Sequence, residues 1–228
     1  MGRFNLKALQ KRALSAFILI PAVLCVVAWG GLPFYLMIAL FTGVSLHEWF
    51  LMARRTENAV FHSVWGFLYL LAGFVFCVFI RSDLGFGPGA LFLFMVWGAD
   101  IGAYFTGKYF GGPKMAPSVS PNKTWAGLIG ACNFAGVAGV LYFSFNLLVS
   151  SELVFSWWMV APVFVLGVLI ALAGQGGDLV VSAMKRKAGV KDTGRIIPGH
   201  GGLLDRIDSM LLAAPVFYVL FSIFSIDL

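Results

Sequence analysis

Four aspartates and a run of bases are concentrated in one polar stretch of an otherwise apolar chain. The stretch GQGGDLVVSAMKRKAGVKDTGRIIPGHGGLLDRIDS covers residues 174–209. Within it Asp178, Ser182 and Lys185 are spaced i, i+4, i+7, so a continuing helix puts them on one face. Asp205 and Asp208, at i and i+3, share a face in the same way. Gly201 and Gly202 just before them permit a tight bend and close backbone approach. Two helix ends can therefore bring three carboxylates beside Lys185, Arg186, Lys191 and Arg206. Carboxylates are ligands Mg2+ accepts, usually one or two from the protein with phosphates and waters completing the octahedron. Bases interleaved with such acids neutralise charge in phosphoryl-type transfer. The chemistry implied is metal-assisted work on a polyphosphate, with one cation or two held close together. The competing reading is a solvated loop in which Asp208 caps or pairs near Arg206, a surface contact of little energy. It explains any one acid better than all three. His200, alone in its "HGG", is a candidate only through its place between Pro198 and Asp205.

A second constellation is WGADIGAYFTGKYFGGPKMAPSVSPNKTWAG, residues 97–127. Asp100 falls inside an apolar run, where an ionisable group is costly and usually faces a cavity or a partner. Gly98, Gly102, Ala103 and Gly107 beside it suit close helix packing. Ser120, Asn122, Lys123 and Thr124 precede the next apolar run. Hydroxyls, a lysine and helix N-terminal amides can cradle a phosphate, or the same residues simply start a helix. A third group is His47, Glu48 and Trp49. Trp49 suits a membrane interface, and Arg54 or Arg55 are candidate partners for Glu48.

The elements that position these residues follow from composition. The chain has 228 residues, 60% of them apolar and 11% charged, with a mean hydropathy of +0.91. A soluble domain has roughly 45–50% apolar residues, and a membrane helix needs about 20 in a row. The fold predicted is all-α, a polytopic membrane protein with about seven transmembrane helices at 13–30, 32–52, 60–80, 87–107, 125–149, 154–174 and 209–226. Gly30, Gly31 and Pro33 mark a tight turn between the first two. Residues 1–96 read as N-terminal helices and 97–228 as the catalytic region, together one membrane-embedded unit. Arg3, Lys7, Lys11 and Arg12 before an apolar run share a signal peptide's form. No clear small-x-small cleavage site follows, so the segment is expected to remain as the first span.

With the N-terminus cytoplasmic, 15 of the 16 Lys and Arg fall on the cytoplasmic side and Arg81 outside. The positive-inside rule accepts that topology and rejects its inverse, which leaves the C-terminus outside. The net charge of +6 needs only this bias and attraction to anionic headgroups. Cys25, Cys77 and Cys132 lie in apolar runs without ligand spacing and read as packing residues.

Taken together, these stretches resemble the phosphatidate cytidylyltransferase family, the CDP-diacylglycerol synthases. The family pattern is Ser-x-x-Lys-Arg, a nearby Lys-Asp, then Pro-x-His-Gly-Gly-x-x-Asp-Arg-x-Asp. It is met by Ser182, Lys185, Arg186, Lys191, Asp192, Pro198, His200, Gly201, Gly202, Asp205, Arg206 and Asp208. Gly177 and Asp178, the run Asp100 to Tyr104, and Ser120 to Trp125 match as well. One departure is Val181, where members commonly carry an acid. The chain is also shorter than many members, chiefly in its N-terminal part.

The resemblance implies CTP + phosphatidate → CDP-diacylglycerol + pyrophosphate, in an integral, bacterial-type cell membrane with the site on the cytoplasmic side. Asp178 and Asp205 are expected to bind Mg2+, with Asp208 as a further ligand or orienter and a second cation accommodated. Lys185, Arg186, Lys191, Arg206 and Lys123 would hold phosphates. CTP, phosphatidate and membrane lipid are the partners implied, with no nucleic acid and with room for a homodimer. The nearest alternative enzyme is a CTP-dependent kinase of polyprenols or lipid alcohols. A cation-coupled transporter would spread polar groups through the midplane of several spans, whereas here they cluster at one face. The Asp-Gly-x-x-Ala-Arg pattern of CDP-alcohol phosphotransferases is absent.

Overall fold

In hydrocarbon a chain must satisfy its own backbone polar groups, so long apolar runs fold as helices. The computed structural model describes residues 21–149, 159–196 and 201–224. A helix whose described part is 21–29 (α1) is followed by α2 (Gly31–Ala53), α3 (Ala59–Ser82) and α4 (Phe86–Phe110). A hairpin of β1 (Lys114–Ala116) and β2 (Ser120–Thr124) leads to α5 (Trp125–Val149), α6 (Val160–Lys187) and α7 (Leu204–Phe224). Among the described residues, the six helices α2 to α7 are long and apolar enough to cross a membrane. Residues 13–20 of the predicted 13–30 span lie outside the described residues. Gly30 and Gly31, with φ of 71° and 54°, make the tight turn between α1 and α2.

Two boundaries differ from the hydropathy pattern, and both matter for the site. The predicted 154–174 span continues as α6 to Lys187, and the last helix begins at Leu204 rather than at 209. Polar side chains end a hydropathy window, but they do not end a helix whose backbone bonds can continue. What ends α6 is Gly189 at φ 67°. The amide of Val190 bonds to the Lys185 carbonyl and that of Gly189 to Arg186, a Schellman closure. Lys185, Arg186 and Lys187 in this last turn complement the helix dipole. The 108–124 connection also contains the antiparallel hairpin, a small β element in an otherwise helical fold. Pro117 at the second turn position, with Val119 N–H bonded to the Ala116 carbonyl, makes its bend.

The chain forms two compact units. One takes the described residues of Met1–Leu70 and Met184–Ile207, the other those of Leu71–Ala183 and Asp208–Leu228. In the first, Trp49 is fully buried and its indole N–H donates to the His62 carbonyl at 2.8 Å. Trp65 and Tyr69 stack beside it, ring planes 6° apart. Trp49 is thus held inside the protein by packing and by its N–H bond. Gly66 of α3 has no side chain, and a Cβ there would overlap the indole that fills the space.

In the second unit α4, α5 and α6 pack through small residues, with Ala99, Ala131, Ala135 and Ala171 buried together. A Cβ on Gly98 would come 2.8 Å from the Ala138 methyl, and one on Gly167 2.6 Å from the Ala135 carbonyl oxygen. Close backbone approach of this kind holds helices together where no hydrophobic drive separates helix from lipid. The packing role expected for the α4 glycines is the one observed.

Candidate active site

In the first unit the polar contacts gather around Asp205, in the first turn of α7. Its Oδ1 receives Lys185 Nζ at 2.7 Å, with side-chain exposures of 12% for the lysine and 7% for the aspartate. Its Oδ2 receives the backbone N–H of Thr193 at 2.8 Å and of Gly202 at 3.1 Å. Gly201 makes the bend at φ 84°. Thr193 Oγ lies 3.1 Å from the same Oδ2, and donates to Glu48 Oε2 at 2.8 Å. Glu48, near the end of α2, is 1% exposed. Its Oε1 takes the N–H of Leu203 and its Oε2 that of Leu204, both at 3.0 Å. These are amides that a helix start leaves without internal partners. A cavity of about 500 Å³ in this unit is lined by Arg55, Lys191, Asp192, Thr193 and Arg195, among others.

In the second unit Asp178 is the centre. Lys123 Nζ lies 2.6 Å from its Oδ2, and the two side chains are 16% and 31% exposed. Ser182, one turn along α6, donates to Oδ1 at 3.0 Å. Lys123 sits on β2, and the helix that follows is capped by Thr124, whose Oγ1 accepts the Gly127 N–H at 3.1 Å. The helix-start reading of SPNKTW thus holds for Thr124, while Lys123 is turned to an acid.

The other predicted residues fall as follows. Asp100 is exposed on α4, Asn122 exposed and Ser120 half-buried on β2. Arg186, Lys191, Asp192 and Arg206 are exposed. Asp208 is half-buried and its Oδ1 accepts the Ser209 N–H at 2.9 Å. Pro198 and His200 lie outside the described residues. Val181, the departure from the motif, is fully buried.

Hard oxygen donors of these kinds suit Mg2+. Asp178 receives Lys123 on one oxygen and Ser182 on the other and is the more open acid, whereas Asp205 Oδ2 is already surrounded by donors. Among the described residues, no three His, Cys, Asp or Glu side chains are gathered into a group that could hold a metal. The fit is to a cation that arrives with a polyphosphate and takes one or two protein carboxylates.

Residues 56–224 match the model of the cytidylyltransferase family. This chain belongs to that family. It is 34% identical over 211 residues to a phosphatidate cytidylyltransferase of Rickettsia bellii, covering 92% of this chain and 89% of that one. The corresponding Rickettsia typhi protein is 33% identical over 213 residues, with 91% and 89% covered. A Brucella suis protein of the same name is 46% identical over 148 residues, and there the match spans 64% of this chain and 52% of the relative.

Every motif that carries the family resemblance lies in the matched region, but Glu48 lies before it. The sequence reading paired Glu48 with Arg54 or Arg55; its hydrogen bonds instead go to Thr193 and the start of α7. One signal was present. Gly-Gly-Leu-Leu-Asp supplies no Ser, Thr, Asp or Asn immediately before α7, so the cap had to come from elsewhere.

Proposed function

We propose that this integral membrane protein transfers the cytidylyl group of CTP to phosphatidate, releasing CDP-diacylglycerol and pyrophosphate. The observation that supports this best is the repeated pairing of a motif base with a motif acid, Lys185 with Asp205 and Lys123 with Asp178. Each ammonium has three donors and can hold a phosphate oxygen while it keeps its carboxylate. The exposed Arg186, Lys191 and Arg206 extend that positive surface toward a triphosphate and a lipid phosphate.

In this reading an oxygen of the phosphatidate phosphate attacks the α-phosphorus of CTP. The new P–O bond forms as the α–β phosphoanhydride bond breaks, and pyrophosphate leaves with both bonding electrons. The nucleophile is already anionic, so no general base is needed. Lys123, Lys185 and the arginines orient the two anions and neutralise charge on the leaving group. Asp178 orients Lys123 and Asp205 orients Lys185, and each carboxylate is a candidate ligand for Mg2+ accompanying CTP, with Asp208 as a further ligand or orienter. When bound, the metal withdraws charge from the polyphosphate and favours departure of pyrophosphate.

We place the N-terminus and the site on the cytoplasmic side with seven spans, on the strength of the Lys and Arg distribution. CTP labelled at the α-phosphorus should pass its label to lipid in the presence of phosphatidate and Mg2+. Label passing only from the γ-phosphorus would instead identify a lipid kinase. Asp205→Asn should abolish transfer while leaving a folded protein, and near-normal turnover in that variant would remove Asp205 from the machinery.

A further inference from the structure

Glu48 is a buried carboxylate that accepts from neutral donors: the Thr193 hydroxyl and the Leu203 and Leu204 amides. Those amides belong to the positive end of α7, which favours a negative charge placed there. The site is built to admit it. A Cβ on Gly202 or on Gly194 would collide with the Glu48 carboxylate. Thr193 has one hydroxyl proton and two carboxylates within reach, Glu48 at 2.8 Å and Asp205 at 3.1 Å. The shorter contact directs that proton to Glu48, and the backbone N–H of the same residue then points to Asp205.

We infer that Glu48 is a positioning residue for the transfer reaction: it caps α7 from 155 residues away and, through Thr193, sets the orientation of Asp205. This rests on the proposed role of Asp205 and extends it to a residue outside the family motifs. Glutamine at position 48 must present its NH2 either to Leu203 N–H or to Leu204 N–H, so one cap bond is lost in each orientation. Misplacing a reacting group by about 1 Å costs on the order of 10²-fold in rate.

The test compares Glu48→Gln, Thr193→Val and Thr193→Ser in detergent-purified full-length protein. Turnover, KM for CTP and the Mg2+ concentration giving half-maximal rate are measured, with hydrogen exchange followed in a peptide over residues 201–207. Glu48→Gln should lower kcat roughly 10- to 100-fold, raise the Mg2+ requirement, and leave KM for CTP within about threefold. Exchange at 201–207 should quicken. Thr193→Val should lower kcat similarly and Thr193→Ser should recover most of that loss. The double variant Glu48→Gln/Thr193→Val should be little worse than the poorer single one, because both break one chain of contacts. Unchanged exchange at 201–207 overturns the inference. So does a wild-type kcat in Glu48→Gln, or a loss matched by the fraction of protein that fails to fold. If wild-type protein makes no CDP-lipid the proposed function fails, while the exchange measurement still decides whether Glu48 holds the start of α7.

Discussion

The two acid–base pairs look alike in composition and differ in how they are held. Asp205 and Lys185 are nearly enclosed, and Asp205 also receives two backbone amides from separate parts of the chain. Asp178 and Lys123 are more open, and the further support for Asp178 is a serine one turn away on its own helix. The first pair is a structural knot as well as a charge pair. The second is a charged face with coordination capacity to spare. A residue can therefore be indispensable for two different reasons, and stability separates them where activity does not.

The largest effect should come from Asp205→Ala. Removing one partner of a buried pair leaves the other charge uncompensated, at about 3–5 kcal/mol, and turnover should be lost as well. Thermal unfolding in detergent, measured beside CDP-diacylglycerol formation, reads both. Asp178→Asn should lower turnover roughly 10²- to 10³-fold, the usual loss when a charge-stabilising group is removed. Its stability should fall by about 1–3 kcal/mol, less than for Asp205→Ala, because there only the buried Lys123 Nζ loses its carboxylate. A comparable loss of stability in the two variants would erase the distinction drawn between the pairs.

Gly202→Ala should come next, because its methyl would meet the Thr193 hydroxyl and the Glu48 carboxylate. Overpacking costs about 1–3 kcal/mol, and the unfolding midpoint should fall together with kcat. If midpoint and kcat both stay at wild-type values, the knot is looser than its distances imply. Smallest should be Thr124→Ala in the other unit, which removes the α5 cap at a cost of about 1 kcal/mol. A chemical unfolding series would resolve it, and a loss as large as that of Gly202→Ala would show the second unit to be the more tightly interlocked.

Much of this arrangement is legible residue by residue. The i, i+4 relation of Asp178 and Ser182 needs only a continuing helix, and α6 provides one. Gly201 before Asp205 signals a backbone that an L side chain resists, and it takes φ 84°. The small residues of α4 announce close packing, and α5 meets them at that separation. By contrast, the length of α6 is not legible in hydropathy, because a helix stops where its carbonyls find a cap and not where polarity begins. Glu48 is the clearest miss. An acid near Arg54 and Arg55 invites a local pairing, and nothing within a few residues of it points to a helix start at Leu204.

By itself, the sequence determined the class of the protein, its apolar spans, the charge asymmetry across them and the family motifs. Each is a property of composition or short-range spacing, and each is carried by residues that are close together along the chain. Tertiary structure alone decided which base meets which acid, that Thr193 stands between two carboxylates, and that a glutamate of α2 closes the start of α7. The physical reason is that amides at a helix start, like buried charges, must find partners wherever folding brings them. The partner's distance along the chain leaves no local trace.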